Sequence, residues 1–451
     1  MTDSTLISSA AAVVHPEDRS YDEARAAWNL AVDQRPAAVV TATTVEEVRS
    51  AVAYAAEHGL RVAPQTTGHH AAALGDLSGA LLLRTALGGV DVDVSAQTAR
   101  VGAGAVWADV VNAAAPHGLT ALSGSAHDVG VVGYTTGGGM SWLARQYGYA
   151  CDHVTAVELV TAAGDLLRVT AEAHPDLFWA LRGGCGANFG VITAMEFKLF
   201  AIPEVFAGMT IWPAAQAADV LRAWTAWAEQ APDRVTTSLR FLRPPAMPGV
   251  PEPLQDTPVV VVDGAVVGAT DEESAALVSA WRSVGTPMID TWGPTPTAGL
   301  LPLHMDPPGP VPSRGDGFAV ETLDDAGVQA LLQAAQPEEV APLLSVELRQ
   351  LGGALGRPRV GSGAVQRRSG FGLFAVGMCP FPEAAAPIDA RIDELRSALA
   401  PWSSGQVSPN FDERGDDAPS AFDAADLARL RAIASQVDPR GMFHASLRLA
   451  G

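Results

Sequence analysis

The chain has 451 residues, 48% of them hydrophobic, and a formal net charge of -21. Its length favours two domains, and its acidic excess argues against binding to nucleic acid or to an anionic membrane surface. The three cysteines lack the paired spacing of a zinc site or a redox motif, so we expect neither a disulfide framework nor a metal site.

The N-terminal apolar stretch, residues 6–14, is short, is interrupted by Ser8 and Ser9 and has no basic flank. A secretory signal needs such a flank, and a membrane-spanning helix needs about 20 apolar residues. We predict a cytoplasmic protein, a monomer or a homodimer, with no membrane partner.

The first 200 or so residues alternate β-prone runs with helical patterns. Residues 44–47 form a capping box, and apolar residues then recur at helical spacing until Gly59, which predicts a helix over 44–58. Strands are predicted on both sides of it, at 38–41 and 60–63. Further strands are predicted at 81–84, 99–106, 154–161, 166–170 and 191–199, and helices at 107–115 and 175–181.

After about residue 202, amphipathic helices alternate with strands, which indicates a second α+β domain. The predicted helices are 214–230, 271–284, 323–335 and 385–399, and the predicted strands are 206–212, 236–242, 258–267, 344–351 and 371–377. The Pro-rich stretches 244–258 and 307–312 are interpreted as surface loops. Periodicity assigns the last helix, 424–436, to neither domain.

Two glycine-rich runs, residues 137–139 and 182–190, and the pair Gly68-His69 suggest a large anionic cofactor. Without a Cβ, their backbone N–H groups can approach phosphate oxygens closely. A Rossmann fingerprint is excluded, because its nearest candidate, residues 102–107, ends in a tryptophan where a small residue must pack. The sequence also contains no Walker motif.

Read together, these motifs resemble the vanillyl-alcohol-oxidase superfamily of flavoproteins, in its berberine-bridge-enzyme-like and 6-hydroxynicotine-oxidase-like branch. The matching segments occur in family order: Trp28-Asn29, Gly68-His69, 130–139, Tyr147-Gly148, 152–154, 176–184, 188–193 and Asp438-Pro439. The resemblance implies an α+β fold with a two-subdomain, PCMH-type FAD-binding domain and a substrate domain whose sheet covers the flavin. The expected division is 1–202 for the FAD domain, 203–401 for the substrate domain, and 402–451 returning to the FAD domain.

The resemblance implies FAD bound covalently through His69, with the adjacent His70 as the competing histidine. The position of a second, cysteinyl bond holds Ala126, so a single linkage is expected. The backbone at 65–70 and 133–138 would cradle the pyrophosphate. The expected cofactor-binding residues are Gln65, Thr66, Thr67, Gly68, His69, His70, Val129, Gly133, Thr135, Thr136, Gly137, Gly138, Asn188, Gly190, Val191, Ile192 and Asn410.

The family's usual catalytic tyrosine is missing, because its position holds Ser408. Glu347 and Arg349 are candidate replacements, since period 2 places them on one face of a strand that resembles the one over the flavin. A solvent-side ion pair is the alternative interpretation of those two residues. His127 and Asp128 are the other catalytic candidates, as an acid-base or substrate-orienting pair.

His304 and Glu321 are weaker candidates for the base, near the second Pro-rich stretch. Val129 matches the position that controls oxygen access in the family, where a small residue accompanies oxidases. Oxygen is therefore the expected electron acceptor.

The expected function is an FAD-dependent oxidase that takes hydride from a small alcohol, amine or phenolic metabolite and releases H2O2, in secondary metabolism. Two alternatives stay open. One is a flavin dehydrogenase or oxidative cyclase that uses another acceptor. The other is a flavin- or metabolite-binding protein without turnover.

Overall fold

The computed structural model describes residues 12–246, 250–335, 341–415 and 418–449, and it contains three β-sheets with helices packed around them. The predicted mixed α+β fold is confirmed. Residues 6–11 of the N-terminal apolar stretch lie outside the described residues.

The first sheet is four-stranded and built mainly from parallel strands. Its strands are β1 (Val13–Val14), β2 (Ala38–Ala42), β3 (Arg61–Gln65) and β4 (Ala80–Thr85), in the order β1-β2-β4-β3. Its helices are α1 (Tyr21–Ala24) and α2 (Val45–Glu57). The predicted capping box begins α2, because Thr44 accepts from the N–H of Glu47 and the Glu47 side chain accepts from the N–H of Thr44.

The second sheet is five-stranded, in the order β5-β6-β9-β7-β8. Its strands are β5 (Val90–Asp93), β6 (Thr98–Gly102), β7 (Val154–Val160), β8 (Leu166–Val169) and β9 (Val191–Lys198), and its helices are α3 (Trp107–Ala114), α4 (Val131–Thr136), α5 (Ala144–Tyr147) and α6 (Pro175–Leu181). The glycine-rich run therefore begins as a helix, where the sequence suggested a loop, and α4 ends at Gly137.

The third sheet is eight-stranded and antiparallel. Its strands are β10 (Glu204–Pro213), β11 (Val235–Leu242), β12 (Val259–Val266), β13 (Ile289–Asp290), β14 (Gly293–Pro296), β15 (Ser313–Val320), β16 (Leu343–Gln350) and β17 (Phe371–Met378). Its helices are α7 (Ala217–Ala228), α8 (Asp271–Leu277), α9 (Ser279–Arg282), α10 (Asp325–Ala335) and α11 (Ala385–Ala398). The predicted helix 271–284 is thus broken at Val278.

The two faces of this sheet have different neighbours. One face buries Leu239, Val262 and Leu348 against the helices in the largest apolar core. The opposite face lies against the rest of the molecule, where Ala207 and Ala265 pack with Trp142 and neighbouring residues. Because strand residues alternate between faces, Asp263, Arg240 and Glu347 lie on this second face.

The C-terminal segment packs on the first two sheets. After α12 (Ala424–Val437), the N–H of Val62 in β3 donates to Met442 O and the N–H of His444 donates to Val62 O, both at 2.8 Å. Leu430 and Leu447 join the apolar core of the second sheet. None of the helices in the described ranges combines the length and apolar character that a bilayer crossing requires.

Candidate active site

The loop that follows β3 is shaped by Gly68. Its φ of +86° is a left-handed conformation, and a Cβ there would lie 2.9 Å from both Ala27 Cβ and Gln65 Nε2. A side chain at this position is therefore both strained and obstructed. The backbone N–H groups of residues 67–70 have no partner among the described residues, which leaves them open to an anionic group.

His69 lies in a partly closed site formed by residues distant in sequence. Its ring stacks on Trp28, with centroids 4.1 Å apart and planes at 19°, and its Nδ1 lies 2.7 Å from Thr67 Oγ1. Burial lowers the pKa of His69 to about 4, and this effect outweighs the opposing influence of Asp128. The imidazole is neutral at pH 7.

Asp128 faces His69 and Trp28. Its Oδ2 accepts a hydrogen bond from Trp28 Nε1 at 2.5 Å, and its Oδ1 lies 3.4 Å from His69 Nε2. That second contact is electrostatic, since it lies outside hydrogen-bond geometry. The His127 ring makes no hydrogen bond to a described residue, so the structure does not form the expected His127–Asp128 pair.

The glycine run meets the C-terminal segment at Asn410. A Cβ on Gly137 would lie only 1.7 Å from Asn410 Oδ1, and Asn410 Nδ2 donates to Tyr134 O at 2.9 Å. The N–H groups of Gly137 and Gly138 donate to Gly133 O and Thr135 O. Within the described chain, the N–H group of Gly139 and those of residues 132 and 133, in the first turn of α4, have no hydrogen-bond partner.

Several of the other predicted cofactor residues hydrogen-bond to backbone carbonyls or pack in the apolar cores. Thr66 Oγ1 donates to Ala103 O at 2.9 Å, and Asn188 Nδ2 donates to Leu447 O at 2.8 Å. The Val191 and Ile192 side chains are buried in the apolar cores. A Cβ on Gly190 would lie 2.5 Å from Leu159 Cδ1, so this glycine permits close approach of its loop to β7.

A flavin nucleotide fits the polar groups left unsatisfied here. Buried side-chain atoms without a hydrogen-bond partner in the described structure include Gln65 Nε2, His69 Nε2 and Thr135 Oγ1. Buried polar atoms are normally satisfied, and these three belong to segments that also offer open backbone N–H groups. The arrangement suits a ligand with phosphate and carbonyl oxygens.

Glu347 and Arg349 form a buried ion pair, which excludes the solvent-side alternative. Arg349 Nε donates to Glu347 Oε1 at 2.9 Å, and the two side chains are 15% and 7% exposed. They share one face of β16, as period 2 predicted. Arg349 and Glu347 line a cavity together with Met140, Phe374, Ser408 and Phe411.

Three further charged residues, Arg240, Asp263 and His304, extend this ion pair. Asp263 Oδ2 accepts from Arg240 at 2.6 Å and contacts His304 Nδ1 at 2.9 Å. His304 Nε2 in turn lies 3.6 Å from Glu347 Oε2. The sequence signal for this network is weak: Asp263 and Arg240 are charged residues inside strands that are otherwise apolar or uncharged.

The cavity adjoins the glycine run. Met140 follows Gly139, Phe411 follows Asn410, and the Arg349 guanidinium lies 5.7 Å from the Trp142 ring and 5.5 Å from the Phe411 ring. The third sheet therefore roofs a small cavity whose opposite wall is formed by Met140, next to the glycine run, and by Ser408 and Phe411 of the C-terminal segment. Glu321 lies outside this cavity: its N–H donates to Trp402 O and its side chain is exposed.

Comparison with known proteins identifies the cofactor class. Residues 36–170 match the family model described as an FAD binding domain. (R)-6-hydroxynicotine oxidase of Paenarthrobacter nicotinovorans is 26% identical over 96% of this chain and 94% of its own length. The chain is an FAD-dependent oxidoreductase with an FAD-binding domain, and it is similar in sequence to FAD-linked oxidases along almost its whole length.

Other relatives and solved structures agree with this assignment. The oxidoreductase is 33% identical to xylooligosaccharide oxidase of Thermothelomyces thermophilus over 45% of this chain and 41% of that protein. Its fold matches the structure of 6-hydroxy-D-nicotine oxidase from Arthrobacter nicotinovorans, with a TM-score of 0.84, 22% identity and full coverage of both chains. It matches BBE-like 1 of Physcomitrella patens equally well, with a TM-score of 0.84 and 22% identity over 98% of this chain and 97% of that chain.

Proposed function

We propose that this oxidoreductase is an oxidase of a small alcohol, amine or phenolic metabolite, with FAD held by a single covalent bond to His69. When bound, FAD supplies the hydride acceptor and, through its reoxidation by O2, the source of H2O2. The proposal assigns residues 1–202 and 402–451 to the FAD domain and 203–401 to the substrate domain.

The observation that supports this function best is the cavity beneath β16. It brings the Glu347–Arg349 pair over the segment that joins the glycine run to Trp142. In this structure that cavity has a volume of only about 10 Å³, so it would have to widen before the chain's own groups could bind a substrate there and orient its reacting C–H bond. Phe374 and Phe411 would then exclude water. Ser408 lines the same cavity in place of a tyrosine.

His69 is suited to covalent attachment because its imidazole is neutral and half-enclosed. Its low pKa leaves a nitrogen lone pair available at physiological pH. Trp28 and Thr67 fix the orientation of the ring. No cysteine lies at the described residues around Ala126, which supports a single linkage.

Attachment is tested with two neighbouring variants. Wild-type protein and His70→Ala should retain yellow flavin after acid precipitation, and His69→Ala should release it into the supernatant. His70 is the matched control, since its Nε2 lies 2.9 Å from Asp412 O and is already engaged. Flavin that stays attached in His69→Ala would disprove the assignment.

Activity is tested by peroxide release from a panel of small alcohols, amines and phenolic compounds. The proposal predicts turnover in air and a clear loss of oxygen reactivity in Val129→Leu, with unchanged reduction of the flavin under nitrogen. Turnover only with an artificial dye acceptor would establish a dehydrogenase instead. If the protein binds flavin but oxidises none of these alcohols, amines or phenolic compounds, the alternative of a flavin- or metabolite-binding protein is supported.

A further inference from the structure

A second cavity, the edge cavity, has a volume of about 380 Å³ and lies at the edge of the third sheet. Its walls are the start of β15, the turn after β17 and the first residue of α11, together with residues 30–33, 72 and 413–414. It shares no lining residue with the cavity beneath β16, and the two lie at opposite ends of β15 and β17, on the order of 20 Å apart. Its volume falls within the range of ligand sites in proteins, about 300 to 1,000 Å³.

The mouth of the edge cavity is apolar. Leu30 and Phe381 line it and are 56% and 58% exposed, so both present large apolar side chains to solvent. Val32 and Ala385, which are partly buried, add to the apolar lining. An apolar ligand in contact with these side chains would remove their surface from water.

The charged side chains that line the edge cavity are paired within the described structure, with one exception. Arg314 donates to both carboxylate oxygens of Asp389, at 2.6 and 2.7 Å. Arg414 donates to Asp393 at 2.7 Å and also lies 3.5 Å from Asp389. Asp33 forms ion pairs with two arginines of the N-terminal segment.

Glu413 is the exception. Its Oε2 is buried and has no hydrogen-bond partner among the described residues, and no arginine there forms an ion pair with it. Burial and the neighbouring Asp316 raise the pKa of Glu413 to about 7, and the opposing influence of Arg314, which is bound to Asp389, is weaker. Glu413 is therefore mostly ionised at pH 8, as a carboxylate without a counterion.

The surrounding charges do not neutralise Glu413. Asp316 is compensated by Arg396 and Arg414, at 2.7 and 3.5 Å. The three arginines around this end of β15 thus balance its three aspartates, and Glu413 leaves one negative charge beside an apolar surface. A buried carboxylate is costly unless a cation or a hydrogen-bond donor reaches it. A protonated amine with an apolar body matches both the charge and the surface.

We propose that the edge cavity is a second binding site of this protein, for a small protonated amine with an apolar body. The ammonium group binds Glu413, and the apolar body contacts Leu30 and Phe381. This inference goes beyond the proposed function, since the edge cavity contains none of the residues assigned there to the flavin or to the substrate.

The test is calorimetric titration of the purified protein at pH 8 with cumylamine, cumyl alcohol and 2-methyl-2-phenylpropanoate. The three compounds share one apolar body and differ in charge, and none has a hydrogen on the substituted carbon that a flavin could accept as hydride. Cumylamine should bind at least about tenfold more tightly than cumyl alcohol, since a charge-assisted hydrogen bond contributes more than a neutral one. Equal affinities, tighter binding of the carboxylate, or no binding of cumylamine would overturn the inference.

Variants locate the binding. Glu413→Gln should lose about tenfold or more in affinity for cumylamine, with the affinity for cumyl alcohol little changed. Glu383→Gln is the matched control and should behave as wild type, because this exposed glutamate is near the edge cavity in sequence but does not line it.

A third variant, Ala385→Phe, fills the edge cavity from the α11 side and keeps the inference testable if Glu413→Gln fails to fold. It should weaken the binding of cumylamine and of cumyl alcohol alike. Wild-type affinity for cumylamine in folded Glu413→Gln or in folded Ala385→Phe would also overturn the inference.

Discussion

His69 shows how a single residue acquires chemistry from neighbours that are far away in the sequence. Trp28 covers its ring, Thr67 contacts one ring nitrogen, and Asp128 lies beside the other. An attack by one imidazole nitrogen places positive charge on the ring, and a carboxylate next to the other nitrogen stabilises that charge. We therefore expect Asp128 to assist the proposed attachment of the flavin at His69 by stabilising that charge.

Replacing Asp128 with Asn should slow covalent incorporation of FAD into apoprotein on the order of tenfold, because the stabilising charge is lost. The rate is measured as in-gel flavin fluorescence after addition of FAD. Asp91→Asn, an exposed carboxylate on β5, should leave the rate unchanged. Covalent incorporation of FAD into Asp128→Asn at the wild-type rate would show that the 3.4 Å contact between Asp128 Oδ1 and His69 Nε2 has no role in flavin attachment.

Sequence motifs identified Gly68-His69 because the pair is local. They did not reveal that Trp28 stacks on His69, or that Asp128 accepts a hydrogen bond from Trp28. Those contacts depend on how three separate loops converge. The network around Glu347 was missed for the same reason: the facing of Arg240 and Glu347 depends on strand register, which local sequence does not specify.

At the scale of elements, β16 and the loop carrying His304 form one electrostatic unit. Since the pKa of His304 is higher in the folded protein than its ordinary value of 6.5, protonation stabilises the fold. That contribution is complete below about pH 6.5 and is lost as the pH rises through about 9. The groups facing His304 are Asp263, Glu347, Asp306 and Arg240.

The free energy of unfolding should therefore fall by at most about 3 kcal/mol between pH 6.5 and 9.5. Denaturant titrations across this range measure it. His304→Gln should be less stable at pH 6.5 and should show a weaker pH dependence, whereas the exposed His117→Gln should follow wild type. An identical slope in His304→Gln would contradict a protonated His304.

Predicted elements agree with the structure where apolar periodicity is strong, as in α2, α7 and β16. Strand β15 was not predicted, because its sequence alternates charged residues and glycines and follows a Pro-rich stretch. The structure explains its glycines: a Cβ on Gly317 would lie 3.0 Å from Phe411 Cβ, beside the cavity. Here a requirement for close packing overrides strand propensity.

At the scale of the whole molecule, one arginine joins the glycine-rich part of the chain to the third sheet. Arg145 in α5 is buried, and its side chain donates to backbone carbonyls on the other side of the interface. The acceptors are Leu351 O at 2.9 Å, Val235 O at 2.7 Å, Ala231 O at 3.0 Å and Pro232 O at 3.2 Å. Burial lowers the pKa of Arg145 to about 10, so it stays charged at neutral pH.

Replacing Arg145 with Met should destabilise the protein by on the order of 3 kcal/mol or more, because it leaves buried carbonyl oxygens unpaired. Thermal unfolding of the holoprotein measures the effect, and Arg145→Lys should be intermediate. Arg222→Met, on the surface of α7, is the control. A melting temperature for Arg145→Met equal to that of the control would show that Arg145 does not stabilise this interface.

We propose that FAD binds between the glycine-rich loops of the chain and is attached at His69. The most direct measurement is flavin fluorescence of tryptic peptides from the purified, denatured protein. We expect fluorescence on the single peptide of residues 62–84, which contains His69 and His70, and none on the peptide of residues 101–145, which contains His127; the same peptide from His69→Ala should not fluoresce. A colourless protein that takes up no FAD on incubation would show that the glycine-rich loops do not form an FAD site.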